Sequence, residues 1–256
     1  MRILLTNDDG VHAKGLAVLK EIALSLTDDV WIVAPAQEQS AASRGVSLHN
    51  PLYARRLEDK VYSVSGTPTD CMIVAMCEIM KDHKPDLVLS GINHGQNLAE
   101  DIGFSGTVAG ALQGLQMGVP SLSFSQARGL STYGSGKINW STPRAHGPAL
   151  IQKLLDEGWP KNVALNINFP DVDAENVKGI HATTQGTRDY IMSDVDKRKH
   201  PRGGDYYWLT YGGQKSNPAK GTDLRAVYDG YISVTPIHVD HTHYKTVTAL
   251  SALFEG

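Results

Sequence analysis

Two adjacent acidic residues near the start of the chain are the first side chains that could do chemistry. Asp8 and Asp9 end the stretch "LLTNDDG" (4–10), where an apolar run stops at two carboxylates and a glycine. Successive side chains of a strand point to opposite faces, so both carboxylates can address one target only if the chain leaves strand geometry there. Gly10 makes such a turn easy. The same residue types also suit a simple turn, so this stretch alone leaves two interpretations open.

Oxygen-bearing side chains follow two further predicted strands. Ser40 comes after "VWIVAP", and Asn93 and Asn97 lie in "GINHGQN" after "DLVLS". The carboxyl ends of parallel strands meet at one edge of an open sheet, so we expect these loops to converge with Asp8 and Asp9. Carboxylate, hydroxyl and amide oxygens favour Mg²⁺ or Mn²⁺ over zinc or copper. A turn or N-cap role for the serine, and turns beside glycines for the asparagines, stay open as alternatives.

An anion site is predicted beside this cation site. Ser105, Gly106 and Thr107 stand at the start of a predicted helix, where free backbone N–H groups and the helix dipole favour a phosphate. An ordinary N-cap at Ser105 or Thr107 predicts the same geometry, so that alternative also stays open. A cation site and an anion site on neighbouring strand ends together predict metal-assisted hydrolysis of a phosphate ester.

Two competing phosphate chemistries fit the residues poorly. The segment "GLSTYGSGK" (129–137) partly resembles a P-loop. However, Ser131 stands where the motif needs its first glycine, and Ile138 replaces the metal-binding Ser or Thr. A covalent aspartyl-phosphate mechanism with an Asp-x-Asp pair would need an acid at the position of Gly10. We therefore place neither chemistry in this chain.

Two further motifs have good structural explanations. "HVDHTHY" (238–244), taken as a strand, divides its possible metal ligands between two faces, which disfavours a metal site. "GTPTDC" (66–71) suits an ordinary helix start, with Thr67 as N-cap, Pro68 in the first helical position and Asp70 in the first turn. We leave both motifs out of the predicted site.

The elements that would position these residues alternate along the chain. Continuous apolar strands separated by amphipathic helices predict a doubly wound α/β core with a mainly parallel sheet. After about residue 180 the chain changes to aromatic β-like runs separated by polar turns. The predicted strands span 2–6, 30–35, 51–57, 61–65, 86–90, 120–125, 163–169, 206–211 and 231–239. The predicted helices span 13–26, 67–82, 106–117 and 143–157.

Composition limits the class of protein. The 256 residues, 41% of them hydrophobic, suffice for one large domain or for one domain with an appendage. A net charge of −3 disfavours nucleic-acid binding, and every apolar run is far shorter than the about 20 residues that span a bilayer. The N-terminus lacks a signal-peptide pattern. Cys71 and Cys77 would lie about 9 Å apart along a helix, beyond disulfide reach. We expect a reduced, cytoplasmic protein that binds neither nucleic acid nor membrane.

Five segments in order resemble one family. "MRILLTNDDG", "VAPAQEQSAAS", "GTPTDC", "LVLSGINHGQN" and "SGTVAGA" are similar to the SurE family, the stationary-phase survival protein E phosphatases. The resemblance is specific from residue 1 to about 125 and continues more faintly through "YDGYISVTPIH". It implies hydrolysis of nucleoside 5′- and 3′-monophosphates to nucleoside and phosphate, with one divalent metal ion per subunit. Some family members also trim short polyphosphate.

The resemblance also implies roles for individual residues and for the two parts of the chain. The family's metal ligands fall on Asp8, Asp9, Ser40 and Asn93, and the two acids are the implied catalytic residues. Its phosphate-contacting loop falls on Ser105, Gly106 and Thr107, to which we add Asn97. The implied fold is a Rossmann-like catalytic core, 1–180, with a C-terminal β-hairpin and tail, 181–256. In the family, this extension is exchanged between subunits of a homodimer or homotetramer.

Two residues depart from the family pattern. Phe104 stands where many members have Tyr, which removes a phenol hydroxyl, and Ala41 follows the ligand serine where Gly is frequent.

Two other function classes are alternatives to the enzyme. One is a module that senses nucleotides without chemistry, and the other is an assembly protein built around the aromatic C-terminal arm. The doubled carboxylate favours the enzyme, because an anion binder gains nothing from two negative charges beside a phosphate. The residues leave the general base and the base preference open.

Overall fold

The computed structural model describes residues 1–129, 138–188, 194–210 and 217–254. In these residues the strands are β1 (Ile3–Thr6), β2 (Val30–Pro35), β3 (Ala54–Glu58), β4 (Val61–Val64), β5 (Leu87–His94), β6 (Ser121–Gln126), β7 (Ala164–Phe169), β8 (Ile180–Ala182), β9 (Asp194–Lys199), β10 (Asp205–Thr210) and β11 (Ile232–Ile237). The helices are α1 (Lys14–Leu24), α2 (Pro68–Val74), α3 (Gly106–Gln116), α4 (Ser141–Glu157), α5 (Asp223–Tyr228) and α6 (Tyr244–Phe254).

One large sheet carries the core. Its strand order in the described part of the chain is β3-β4-β2-β1-β5-β6-β7-β11-β8, and the run from β4 to β7 is parallel throughout. The edge strand β3 and the inserted strand β11 pair antiparallel with β4 and β7. The predicted doubly wound, mainly parallel α/β fold is therefore confirmed.

Helices cover both faces of this sheet, and β1 shows why its sequence is apolar throughout. Ile3 and Leu5 pack in one hydrophobic cluster with α1 and α4, whereas Leu4 packs in a second cluster with α2. Neighbouring residues of a strand point to opposite faces, so a strand buried on both sides reads as a continuous apolar run. None of the helices in the described ranges combines the length and apolarity needed to cross a bilayer.

Two predicted elements differ from the structure in their bounds by four residues or more at one end. The strand predicted at 86–90 continues to His94, so Asn93 belongs to the end of β5. The helix predicted at 67–82 is α-helical only to Val74 and continues as a π-helical segment, Ala75–Ile79. Its start is as predicted, because Thr67 and Asp70 form a reciprocal capping box. Both cysteines near this segment, Cys71 and Cys77, are free thiols.

The C-terminal part of the chain contributes to the core as well as to an extension. β11 lies between β7 and β8 in the main sheet, whereas β9 and β10 pair with each other and, among the described residues, form a separate two-stranded sheet. The division of the chain into 1–180 and 181–256 stays a prediction. β11 belongs to the second part of the chain but pairs with β7 of the first part. The strand reading of 238–244 is wrong, because β11 ends at Ile237 and α6 begins at Tyr244. The P-loop-like residues 130–137 lie outside the described ranges.

Candidate active site

The turn after β1 presents the two adjacent acids. Asn7 Nδ2 donates a hydrogen bond to the Gly10 carbonyl over 2.9 Å, which closes the turn around Asp8 and Asp9. Gly10 has a φ of +99°, a backbone conformation that residues other than glycine rarely adopt. Asp8 is 4% exposed and Asp9 is partly buried. The turn interpretation and the functional interpretation of this stretch therefore describe one geometry.

Asp8 lies against the N-terminus of α3. The Thr107 hydroxyl donates to Asp8 Oδ1, and a Cβ added to Gly106 would lie 2.7 Å from the Asp8 Cβ. Ser105 caps the helix, because its Oγ accepts from the Val108 N–H over 3.0 Å. The N-cap reading of Ser105 is therefore confirmed. The anion that contacts this helix terminus in the structure is the Asp8 carboxylate, and the phosphate role of the Ser105–Thr107 turn stays a prediction.

Backbone hydrogen bonds bring the other two loops to the acid pair. The Gln39 N–H donates to the Asp8 carbonyl over 2.7 Å, and the His94 N–H donates to Asp9 Oδ2 over 3.1 Å. Gln39 precedes Ser40, and His94 follows Asn93. All four predicted metal ligands therefore lie in the acid pair or one residue away from a hydrogen bond to it.

The side chains of the two outer ligands are oriented by local hydrogen bonds. The Ser40 hydroxyl is exposed and donates to Glu38 Oε1 over 2.7 Å. Asn93 Nδ2 donates to the Gly95 carbonyl over 2.9 Å, which leaves Oδ1 as the amide atom for a cation. The convergence of these loops at one sheet edge is as expected. Their metal-ligand roles stay predictions.

Asn97 makes its described contacts with the neighbouring strands. Its Nδ2 donates to Ser125 Oγ over 2.8 Å, and its backbone N–H donates to Asn168 Oδ1 over 2.9 Å. The carbonyl of Asn97 accepts from Asn166 and Asn168. These contacts anchor the start of the loop that leads to Ser105. A contact between Asn97 and a phosphate stays a prediction.

The electrostatics of the acid pair favour a cation. Burial raises the pKa of the Asp8 carboxyl, against the opposing effect of the hydrogen bond from Thr107. Burial and the negative charge of Asp8 raise the pKa of Asp9 to about 7. Two neighbouring buried carboxylates are costly when both are charged, and a bound cation removes that cost.

The donor set fits a small hard cation. Two carboxylates, a hydroxyl and an amide oxygen are the ligand types of Mg²⁺ and Mn²⁺. In the described ranges no group of three or more His, Cys, Asp or Glu residues is placed to hold a metal ion. The predicted donor set therefore consists of oxygen atoms alone.

Sequence reasoning missed the pair His94 and Arg128 beside Asp9. Arg128 Nη2 donates to His94 Nδ1 over 2.6 Å and to the His94 carbonyl over 2.8 Å. Burial, and then the charge of Arg128, lower the pKa of His94. Arg128 comes two residues after β6, which pairs with β5, so the rule that strand ends share one edge could have found it.

Phe104, which departs from the family pattern, has a side chain that is 59% exposed.

Comparisons with known proteins point to one family. A family model described as "Survival protein SurE" matches residues 3–192. The chain is 52% identical over 256 residues to a protein of Hyphomonas neptunium (strain ATCC 15444) named 5′-nucleotidase SurE, with 100% of each chain covered. It is 51% identical over 258 residues to the protein of that name from Caulobacter vibrioides (strain NA1000 / CB15N), covering 100% of this chain and 97% of the relative. The crystal structure of the SurE protein from Aquifex aeolicus superposes with a TM-score of 0.83 at 38% identity, over 99% of each chain.

Proposed function

This chain belongs to the SurE family, and we propose that it is a divalent-metal-dependent phosphomonoesterase that hydrolyses nucleoside monophosphates to nucleoside and phosphate. The names of its relatives support activity on 5′-monophosphates. From the family resemblance we extend the proposal to 3′-monophosphates and to a side activity on short polyphosphate. The observation that carries it is the acid pair Asp8 and Asp9, placed at a strand end against the start of α3.

Four residues would hold one Mg²⁺ or Mn²⁺ ion per subunit. They are Asp8, Asp9, Ser40 and Asn93. A divalent cation bound there supplies positive charge for a phosphoryl oxygen and lowers the pKa of water, which makes water a nucleophile at neutral pH. Asp8 and Asp9 are the proposed catalytic residues in this arrangement.

The remaining residues of the site would hold the Asp8 carboxylate and the phosphoryl group in place without taking part in the reaction. Thr107 holds Asp8 in one orientation through its hydroxyl, so the carboxylate needs little rearrangement when a cation binds. Ser105, Gly106 and Thr107 offer the start of α3 to the phosphoryl oxygens, with Asn97 as a further contact. The hydrogen bond that Ser105 accepts from Val108 does not use its hydroxyl proton, which can be donated to a phosphoryl oxygen.

Incubation with AMP tests this proposal. The wild-type protein should release phosphate with Mn²⁺, and excess EDTA should stop the release. Asp9→Asn should lower kcat/KM by at least about 100-fold while leaving the fold intact, since charge stabilisation at a phosphoryl group is a large catalytic term. Asp59→Asn, an acid on the exposed turn between β3 and β4, is the matched control and should keep full activity. Hydrolysis that persists in EDTA, or full activity of Asp9→Asn, would contradict the assignment.

The assembly and the compartment are part of the same proposal. We infer a homodimer or homotetramer in which residues of 181–256 pass between subunits, as the family resemblance implies. The apolar side chains exposed on β10 support this inference. A cytoplasmic location is proposed from the two free thiols.

A further inference from the structure

A cavity of about 570 Å³ opens beside Asp9, on the side of the sheet that α1 covers. Its walls include Asp9, Lys14, Glu38, His94, Ile138 and Trp140. The volume lies within the range of small-molecule sites in proteins. The cavity therefore offers space for a group that continues from a phosphate held next to Asp9.

The wall of this cavity combines apolar and polar groups. The rings of His94 and Trp140 lie nearly parallel, with 6.5 Å between centroids and 26° between planes. Trp140 is itself buried, at 7% exposed, so its ring is a fixed aromatic neighbour of His94. Ile138 adds an aliphatic surface. Such a wall suits a flat, partly apolar molecule that also carries hydrogen-bond acceptors.

The hydrogen bonds of His94 decide which ring nitrogen carries the proton. Arg128 has only donors, so His94 Nδ1 must accept the 2.6 Å hydrogen bond from Nη2. A ring that accepts at Nδ1 carries its proton on Nε2. The backbone of His94 is fixed at the same time, because its N–H donates to Asp9 and its carbonyl accepts from Arg128. His94 is therefore a pre-oriented, uncharged donor.

Among the described residues Arg128 forms no ion pair at contact distance, and Asp9 is an acid whose pKa its charge lowers. In the part of the chain that the structure describes, its buried Nε has no hydrogen-bond partner. A charge placed in this way is costly for stability. Its strongest described contacts are those to His94, which indicates that orienting this ring is its role.

We propose that the Asp9–His94 cavity binds the nucleoside part of the substrate, with His94 Nε2 donating to a sugar or base acceptor and Arg128 acting as a positioning residue. This inference rests on the proposed function and deepens it, because it assigns the part of the substrate beyond the phosphate. The phosphoryl group stays at Asp8, Asp9 and the start of α3. The cavity takes no part in the chemical step, and it contributes by raising the affinity for the substrate.

Two substrates separate the cavity from the reacting centre. AMP carries a nucleoside, whereas p-nitrophenyl phosphate presents the same phosphoryl group with neither sugar nor base. His94→Ala should raise KM for AMP about tenfold with kcat within about twofold, since one hydrogen bond to a neutral acceptor is lost. The constants for p-nitrophenyl phosphate should stay within about twofold. Adenosine should inhibit hydrolysis of p-nitrophenyl phosphate by the wild-type protein, with an inhibition constant about tenfold higher in the variant.

Further variants test the role of the fixed proton. His94→Gln keeps an N–H donor near the position of Nε2 and should recover most of the affinity for AMP. Arg128→Met should raise KM for AMP several-fold in the wild-type background and clearly less in His94→Gln, because glutamine has no tautomer to set and only the contact to the carbonyl of residue 94 is then lost. His83→Ala, an exposed histidine on the loop before β5, is the matched control and should change nothing.

The outcomes distinguish this inference from the proposed function. Equal losses for AMP and p-nitrophenyl phosphate in His94→Ala, or no loss for either, would overturn the cavity assignment while leaving the enzyme assignment in place. A wild-type protein that adenosine does not inhibit would also overturn it. A wild-type protein that hydrolyses neither substrate with Mn²⁺ would overturn the proposed function, and the cavity assignment with it.

Discussion

At the residue scale, the hydroxyl of Thr107 satisfies a carboxylate that has almost no access to solvent. A buried charge without such a donor is costly, because the lost water contacts are not replaced. The family resemblance assigns Thr107 to the loop that contacts the phosphate of the substrate. The structure adds a contact inside the protein, since this hydroxyl donates to Asp8. Thr107 therefore links the acid pair to the start of α3.

Replacement of Thr107 tests this link. Thr107→Val keeps the shape of the side chain and removes the donor, so it should lower the free energy of unfolding by about 1–3 kcal/mol. We also expect a loss of activity, because Asp8 becomes free to turn. Thr107→Ser is the matched variant that keeps the hydroxyl, and it should restore both properties. Chemical denaturation and AMP hydrolysis measure the two effects. Equal behaviour of the Val and Ser variants would contradict the role given to the hydroxyl.

Asp9 should oppose folding when no cation is bound. Its pKa in the folded protein is about 7, above the ordinary value of 3.8. The folded state therefore binds the proton more tightly than the unfolded state, and stability falls as pH rises from about 4 through 7. At pH 8 and in EDTA, Asp9→Asn should raise the free energy of unfolding by up to about 4 kcal/mol. The amide oxygen can still accept from the His94 N–H, so the local structure is kept.

Added Mn²⁺ should reverse the order of stability. The wild-type protein gains stability with Mn²⁺ because the ion binds the folded state, whereas the Asn variant gains little. Thermal melting in EDTA and in Mn²⁺ measures both differences. The exposed replacement Asp59→Asn should shift neither melting temperature by more than the small effect of a surface ion pair. A wild-type protein that is more stable than Asp9→Asn in EDTA would contradict the unfavourable charge at Asp9.

At the scale of elements, the site depends on how closely the start of α3 approaches the turn after β1. Gly106 allows this approach, because a Cβ there would meet Asp8 Cβ at 2.7 Å and Pro68 Cγ at 3.1 Å. The neighbour on one side is the acid and on the other the first turn of α2. Three elements therefore meet at a position with no room for a methyl group.

Gly106→Ala tests that approach. The added methyl should push α3 away from Asp8, cost about 1–3 kcal/mol of stability and lower activity at least tenfold. Gly103→Ala is the matched control, because it lies three residues earlier with no atom within 4 Å of its Cβ position. It should leave both stability and activity close to wild type. Kinetics and denaturation of the two variants decide the point, and an active Gly106→Ala variant would show that the approach is not required.

The sequence predicted the elements well where neighbouring residues determine them. β2 has the predicted bounds, and the capping box at Thr67 follows from local residue types. Contacts between distant parts of the chain left no local pattern. Asp223 accepts from the backbone of Ala99 and of Gly186, each over 2.8 Å, and so holds the loop before α3. Nothing around position 223 distinguishes this role from that of an ordinary acid in the first turn of a helix.

The same distinction holds for the site. The rule that parallel strand ends share an edge predicted that Asp8, Asp9, Ser40 and Asn93 approach one another, since it needs only the strand order. The orientation of each side chain depends on hydrogen bonds that form after folding. The contact between Thr107 and Asp8 and the contact between Arg128 and His94 are of this second kind.

At the scale of the whole molecule, the hairpin β9–β10 lies outside the main sheet. Its exposed apolar residues include Tyr207 at 56%, Trp208 at 60% and Leu209 at 73%. Isolated two-stranded hairpins are marginally stable in water, and the proposed contact with another chain would cover these adjacent exposed apolar side chains. Truncation near residue 185 would be a poor test of that contact. It would also remove β11, which pairs with β7 inside the core.

Substitution within the hairpin tests the proposed assembly without disturbing the core. Trp208→Ser combined with Leu209→Ser should weaken association, because both side chains are exposed in the single chain and would be buried only between chains. Sedimentation velocity should show a smaller species than the wild type at the same concentration. Unfolding of the dissociated chain should still be cooperative, since the main sheet is untouched. Leu24→Ser, at an exposed position at the end of α1, is the matched control and should leave the sedimentation unchanged. An assembly that survives the double substitution would place the subunit contact elsewhere on the molecule.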